Sequence, residues 1–320
     1  MILITGGLGF IGLHTARALL DLGESCVLTR YQSDRQPGFL AGEFGSRVLV
    51  EQVDVNDRKA VLDLGRKYEI TGIVNLLSGG FLRPVPEMYD DVRTATAALL
   101  NVLEAAREWQ VSRLAVASAI GVYAGAGPSP WREDLPLPLS ATHSIELTKK
   151  WSELLSSFLG AQSGVEVVNL RIGGIYGPLY RNISSPFGIL GRLVHAAVKG
   201  EVPEFPEHGR PYADDGIDWC YVKDCGRAIA LLQTADRLAH GLYNVGAGQP
   251  TTNGDIVAAI RQAVPDARID LPAGRDPAGL GEPVCLDTGR LHADTGFTPA
   301  YDAARGVADY VAWLRAGNQF

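Results

Sequence analysis

A chain of 320 residues with 46% apolar and 20% charged side chains can bury a sizeable core and reads as ordinary globular material. Its net charge of −7 argues against nucleic acid or an anionic membrane as the main partner. No apolar run approaches the ~20 residues of a membrane span, and Met1 leads so directly into an apolar stretch that a cytoplasmic protein without signal peptide is expected.

In chain order, Ile2-Leu3-Ile4 forms a short strand that enters Thr5-Gly6-Gly7-Leu8-Gly9-Phe10-Ile11-Gly12, and a helical pattern then runs to Gly23. Strand, glycine turn and helix are the context in which this spacing binds a dinucleotide. Gly6 allows the tight turn, Gly9 the approach of backbone N–H groups to a pyrophosphate, and Gly12 close packing of helix on strand. The positive helix end, starting at Phe10 and Ile11, then faces the phosphates. Further strands are expected at 26–29, 48–53, 73–77, 114–117 and 165–170, with helices at 58–68, 88–109 and 144–159 between them. Such alternation predicts a parallel sheet covered on both faces.

After Arg171 the chain turns rich in Gly and Pro over 173–217, with an amphipathic stretch at 187–198. A helix at 221–232, a strand at 242–245, a helix at 255–263, a short strand at 268–271 and a final helix at 303–315 follow. The expected fold class is α/β, a Rossmann-type doubly wound parallel sheet with a smaller C-terminal α/β substrate lobe. Residues 1–172 with 218–247 would form the NAD(P)-binding domain, and 173–217 with 248–320 the lobe. The four cysteines (Cys26, Cys220, Cys225, Cys285) lack C-x-x-C spacing and read as free thiols; the six histidines suggest no metal site. Where NAD-binding domains end the second strand on an acid, this chain has Thr29-Arg30, with Arg35 shortly after. That predicts NADP over NAD, with Arg30 gripping a 2′-phosphate.

These stretches together resemble the extended short-chain dehydrogenase/reductase superfamily, in its NAD(P)-dependent epimerase/dehydratase group. The resemblance rests on the glycine motif, Asp54-Val55-Asn56-Asp57, the run from Ala117 to Tyr123, the run from Arg171 to Pro178, Trp219-Cys220-Tyr221-Val222-Lys223-Asp224 and Tyr243-Asn244-Val245-Gly246. It implies cofactor contacts from Gly6, Gly9, Phe10, Ile11, Gly12, Thr29, Arg30, Asp54, Val55, Leu77, Ser78, Ser118 and Lys149. It also implies a small-molecule substrate, met by Phe81, Ala119, Ile145, Gly174 and Trp219. Catalysis in the family uses a Tyr-x-x-x-Lys pair and a Ser or Thr.

Thr148-Lys149 followed by Glu153 fits the lysine part, yet four residues before Lys149 stands Ile145. The position matching the family's Ser/Thr is Ala119, and Ser118, one residue off, should point elsewhere. Reading Lys150 as the lysine would put Glu146 at the tyrosine position but lose the match at Glu153. His143 and Tyr176 are the candidate replacement acid/base groups. The leading expectation is an NAD(P)-dependent enzyme acting on a small, non-nucleotide metabolite by oxidoreduction or redox-neutral isomerisation. Alternatives are a non-redox lyase, cyclase or isomerase, a cofactor-binding sensor, and a nucleotide-sugar epimerase/dehydratase. Against the last, the family's diphosphate-binding Asn is here Gly174, although Arg181, Arg192 or Arg210 offer compensating charge. Trp109, Trp151, Leu154, Leu155 and Phe158 suggest a homodimer through helices 88–109 and 144–159.

Overall fold

The computed structural model describes residues 1–31, 34–77, 85–180, 188–205, 209–279 and 281–318. In chain order the first half runs β1 (Ile2–Thr5), α1 (Phe10–Asp21), β2 (Cys26–Arg30), β3 (Val48–Gln52), α2 (Arg58–Lys67), β4 (Gly72–Asn75), α3 (Val85–Glu108), β5 (Arg113–Ala119), α4 (Ser144–Ser163) and β6 (Val167–Ile172). The second half runs β7 (Gly174–Tyr176), α5 (Ile189–Lys199), β8 (Gly216–Ile217), β9 (Trp219–Tyr221), α6 (Val222–Thr234), β10 (Leu242–Val245), β11 (Thr251–Thr252), α7 (Asn253–Ala263), α8 (Gly289–Thr295) and α9 (Ala303–Arg315).

Seven parallel strands form the central sheet in the order β10-β6-β5-β4-β1-β2-β3. The order reverses at β1, and the crevice beyond the strand ends at such a switch point is where ligands bind. The strands read as continuous apolar runs because both faces are covered. Alternate residues go to opposite sides: Ile4, Leu28, Val74 and Ala115 pack under α1 and α6, whereas Leu3, Val27, Ile73 and Leu114 pack under α2, α3 and α4. A third cluster gathers Leu193 and Val194 of α5, Ile256 and Ile260 of α7, and Val307 and Tyr310 of α9 against the pair β7·β9. The buried Asp218 carboxylate ties this region together, accepting from the backbone N–H of Ala247 (2.6 Å), Gly248 (3.0 Å) and Leu286 (3.2 Å).

The expected strand at 268–271 is absent. The Ile269 carbonyl is held by the Arg261 guanidinium at 2.7 Å, so a side chain satisfies the backbone there and not a neighbouring strand. The short pairs β7·β9 and β8·β11 and the helix α8 lie outside what the sequence pattern predicts. All four cysteines are buried and free. Among the described residues no cluster of His, Cys, Asp and Glu suits a metal, and no helix is long and apolar enough to cross a membrane.

Candidate active site

One wall of the crevice is backbone. Gly6 adopts φ +68° and its N–H donates to Thr29 Oγ1 at 3.1 Å, while the Gly9 N–H closes on the Gly6 carbonyl at 2.9 Å. A Cβ on Gly9 would lie 2.8 Å from the Gly6 oxygen, and one on Gly12 would lie 2.6 and 2.7 Å from the oxygens of Gly6 and Gly7. The turn therefore closes only without side chains. No side chain caps the start of α1 and no acid stands in its first turn, so the N–H groups at Phe10 and Ile11 are left for an external anion. These features fit the pyrophosphate of a dinucleotide.

The Thr29 hydroxyl is buried and takes the Gly6 N–H of the glycine turn. Arg30, about one third exposed, pairs with Asp34 and donates to Gln52 Oε1 at 3.3 Å. The Asp54 carboxylate turns back on the Asn56 N–H (2.9 Å), and Val55 is buried with its carbonyl held by Asn101 (2.9 Å). Ser78, Phe81 and Arg181 lie outside the described residues.

The opposite wall is α4. Lys149 is buried and its Nζ donates to the carbonyls of Ala117 (2.8 Å) and Leu77 (3.2 Å), bridging the ends of β5 and β4. Burial pulls its pKa down to about 8, with Glu153 one turn on pulling the other way. Lys150 points elsewhere, to the carbonyls of Pro138 (2.6 Å) and Ser140 (2.7 Å) and to Glu146 (2.7 Å), which decides the register in favour of Lys149. A cavity of about 270 Å³ lies beside it, lined in part by Asn75, Leu77, Thr94, Ala117 and Thr148. Asn75 and Thr94 are among the lining residues that sequence reasoning misses. An Asn inside the apolar strand Gly72–Asn75 is the available signal, and it accepts from the Thr5 hydroxyl at 2.6 Å.

One turn before Lys149, Ile145 is nearly buried, and Ala119 ends β5 half-buried. Ser118 is buried. Its hydroxyl is hydrogen-bonded to Glu153, whose carboxylate also receives Arg171 Nε (3.0 Å) and Nη2 (2.8 Å). Arg171 lies over the Tyr123 ring at 4.7 Å and reaches the Glu133 carbonyl at 3.3 Å, making a buried polar chain behind Lys149. His143 is the N-cap of α4: its Nδ1 accepts the Glu146 N–H at 3.2 Å, so the neutral ring carries its hydrogen on Nε2. Tyr176 does not reach the crevice. It packs edge-on against Tyr221 and Trp219, its hydroxyl abuts Gly306 of α9, and burial pushes its pKa up. It is a packing residue.

Above β7, a Cβ on Gly174 would meet Ile217 Cδ1 at 2.6 Å and Trp219 Cε3 at 2.9 Å. Trp219 itself is buried in the third cluster. Residues 178–180 cross the start of α1: His14 Nε2 donates to the Pro178 carbonyl (3.2 Å) and the Phe10 and Tyr180 rings meet edge to face at 5.1 Å. Burial lowers the His14 pKa to about 4, so the ring is neutral near pH 7. Leu179 adopts φ +74°, which costs a non-glycine residue about 1–2 kcal/mol.

On the outer side of α4, Leu147, Trp151, Leu154 and Phe158 recur at spacings of 4, 3 and 4 residues and are each about half exposed or more, with Leu100 of α3 also exposed. Trp109 and Leu155, expected on this face, pack instead against the cluster under α2 and α3.

A model of the NAD dependent epimerase/dehydratase family matches residues 2–246. The chain is 27% identical to a dTDP-glucose 4,6-dehydratase of Streptomyces griseus over 98% of its length and 93% of the relative's. It is 27% identical to a probable UDP-glucuronate 4-epimerase of Rhizobium meliloti, covering 97% and 96%. Among solved structures, the UDP-glucose 4-epimerase of Thermus thermophilus in complex with NAD superposes with a TM-score of 0.80 at 25% identity, over 99% of each chain. With its glycine turn, its sheet order and its crevice lysine, the chain belongs to the NAD-dependent epimerase/dehydratase family.

Proposed function

We propose that the protein is a cytoplasmic enzyme that holds a nicotinamide dinucleotide between the glycine turn and α4 and acts there on a small organic substrate. The observation that carries this reading is Lys149, a buried lysine whose Nζ donates to the carbonyls of Ala117 and Leu77, together with a helix start at Phe10 that no side chain caps. Gly9, Phe10, Ile11 and Gly12 would hold the pyrophosphate, and Lys149 the ribose on the reactive side. The bound dinucleotide would supply hydride exchange. Lys149 keeps a proton at Nζ available near neutral pH, the part that Ile145 cannot play. Residues 173–217 with 248–320 would close over the substrate.

The substrate class suggested by the relatives' names is a nucleotide-linked sugar, with epimerisation or dehydration as the chemistry. A second reading, a smaller non-nucleotide metabolite, is supported by Gly174, where Ile217 and Trp219 fill the place of a diphosphate-binding side chain. NADP is favoured over NAD by the absence of a carboxylate at the end of β2, although the Thermus thermophilus relative is in complex with NAD. A homodimer would bury the stripe Leu147, Trp151, Leu154 and Phe158, an apolar face wider than α4 needs for its own core. Light scattering at micromolar concentration tests this, a 34.2 kDa particle excluding it.

Calorimetric titration of NAD and NADP into wild type and Lys149→Met tests the main reading. Binding to wild type that weakens at least tenfold in the variant is expected; no binding of either cofactor to wild type overturns it. UDP, GDP and dTDP titrated into the cofactor complex then separate the two substrate readings, micromolar binding of any one favouring the nucleotide-linked sugar.

A further inference from the structure

The loop after β2 is the part of a Rossmann crevice that meets the adenosine ribose. In this chain Arg35 of that loop reaches across to another element, its guanidinium donating to the Leu179 carbonyl at 3.1 Å. Among the described residues only Leu179 and Gln110 are non-glycine residues with positive φ. Gln110 follows the end of α3, where a left-handed residue closes a helix as usual. Leu179 has no helix to close. It is held between two neighbours that α1 fixes, Pro178 through His14 and Tyr180 through Phe10.

Phe10 opens the helix whose start faces the phosphates, and Arg35 sits on the loop at the ribose end. Residues 178–180 are therefore fastened to both parts of the chain that would touch a dinucleotide. Through Gly177 they are also continuous with β7, which carries Gly174. The α1 contacts come from a helix anchored in the core, whereas Arg35 stands on the loop between β2 and β3. A ligand that orders this loop changes the free energy of holding Leu179, and by linkage the holding of Leu179 changes the affinity for the ligand.

We infer that Arg35 is a positioning residue that couples dinucleotide binding to the segment 178–180 on the substrate side of the crevice. The inference rests on the cofactor reading above. It assigns Arg35 a part distinct from that of Arg30, whose guanidinium meets Asp34 and Gln52.

The test titrates NAD and NADP by calorimetry into wild type, Arg35→Ala and Arg35→Lys, with backbone hydrogen exchange followed at Leu179 and Tyr180. In wild type, cofactor slows exchange at both amides. Arg35→Ala binds NAD and NADP more weakly by one common factor, about fivefold. Cofactor then no longer slows exchange at Leu179 and Tyr180, and Arg35→Lys recovers part of both effects. Undiminished protection in Arg35→Ala overturns the coupling. So does a loss confined to NADP, which would make Arg35 a direct contact of the 2′-phosphate. Wild type that binds neither cofactor removes the functional reading and this inference with it. Wild type that binds cofactor without protecting the two amides removes this inference alone.

Discussion

The two walls of the crevice are built from opposite materials. The glycine turn before α1 works by missing side chains: its geometry is dictated by carbonyl oxygens that leave no room for a Cβ at Gly9 or Gly12. The start of α4 works by side chains: Lys149 reaches the carbonyls of Ala117 and Leu77, and Ile145 lies one turn before it. A backbone-built wall fails as a whole when disturbed. A side-chain-built wall can lose a single function and keep its shape.

The largest effect is expected where the backbone wall is touched. Gly12→Ala puts a methyl group against two backbone oxygens, so α1 must move away from the turn. Stability falls by about 3 kcal/mol and cofactor binding is lost, as thermal melts and calorimetry will record. A variant that binds like wild type would show that the turn tolerates side chains and would erase the contrast.

Next in size is the charge on the other wall. Lys149 has its pKa lowered to about 8 in the folded protein, against an ordinary value near 10.5. Between those values the unfolded chain binds more protons, so stability contributed at this residue rises with pH across that window. Below pH 8 the ammonium is charged in both states and its burial weighs against folding. Wild type should gain about 2–3 kcal/mol relative to Lys149→Met between pH 8 and 10.5 in denaturant melts. Parallel curves for the two proteins would mean that the lysine is not desolvated.

Ile145→Tyr sharpens the comparison directly. A phenol one turn before Lys149 shares its field, so while the ammonium keeps its proton the phenol should ionise below its ordinary value of ~10. Ultraviolet difference titration reads the phenolate. A new tyrosine titrating at or above 10 would mean that the first turn of α4 no longer aims at the lysine. The smallest effect concerns the β2 end, where Arg30→Ala should weaken NADP about fivefold, about 1 kcal/mol, and leave NAD unchanged. Equal NADP affinity in the two proteins would remove the basis for preferring the phosphorylated cofactor.

Most of the sheet is legible in the sequence because doubly covered strands are apolar runs and the glycine turn has a fixed spacing. Lys149 is legible from its place between Thr148 and Glu153. What escapes depends on distant partners. Tyr176 between glycine and proline neighbours gives no sign whether it faces crevice or core; Gly306, far along the chain, makes the room that puts it in the core. The alternation Arg268-Ile269-Asp270-Leu271 reads as a strand, but the Arg261 side chain supplies its hydrogen bond. That Ser118 points elsewhere is legible from its place one residue off, but its partner Glu153, on another element, is not. Trp109 and Leu155 look like interface residues because helical spacing does not reveal which flank a neighbouring helix covers.

The buried chain of Lys149, Glu153 and Arg171 also bears on the order in which such a site can be dismantled. A neutral hydroxyl exchanged for a methyl or a branched alkyl group leaves no charge behind, so positions like Ala119 and Ile145 can change singly at modest cost. Removing Glu153 or Arg171 strands its partner in a dry interior, a loss of about 3–5 kcal/mol. Single substitutions at such uncharged positions are therefore cheaper than single substitutions in the buried ion pair.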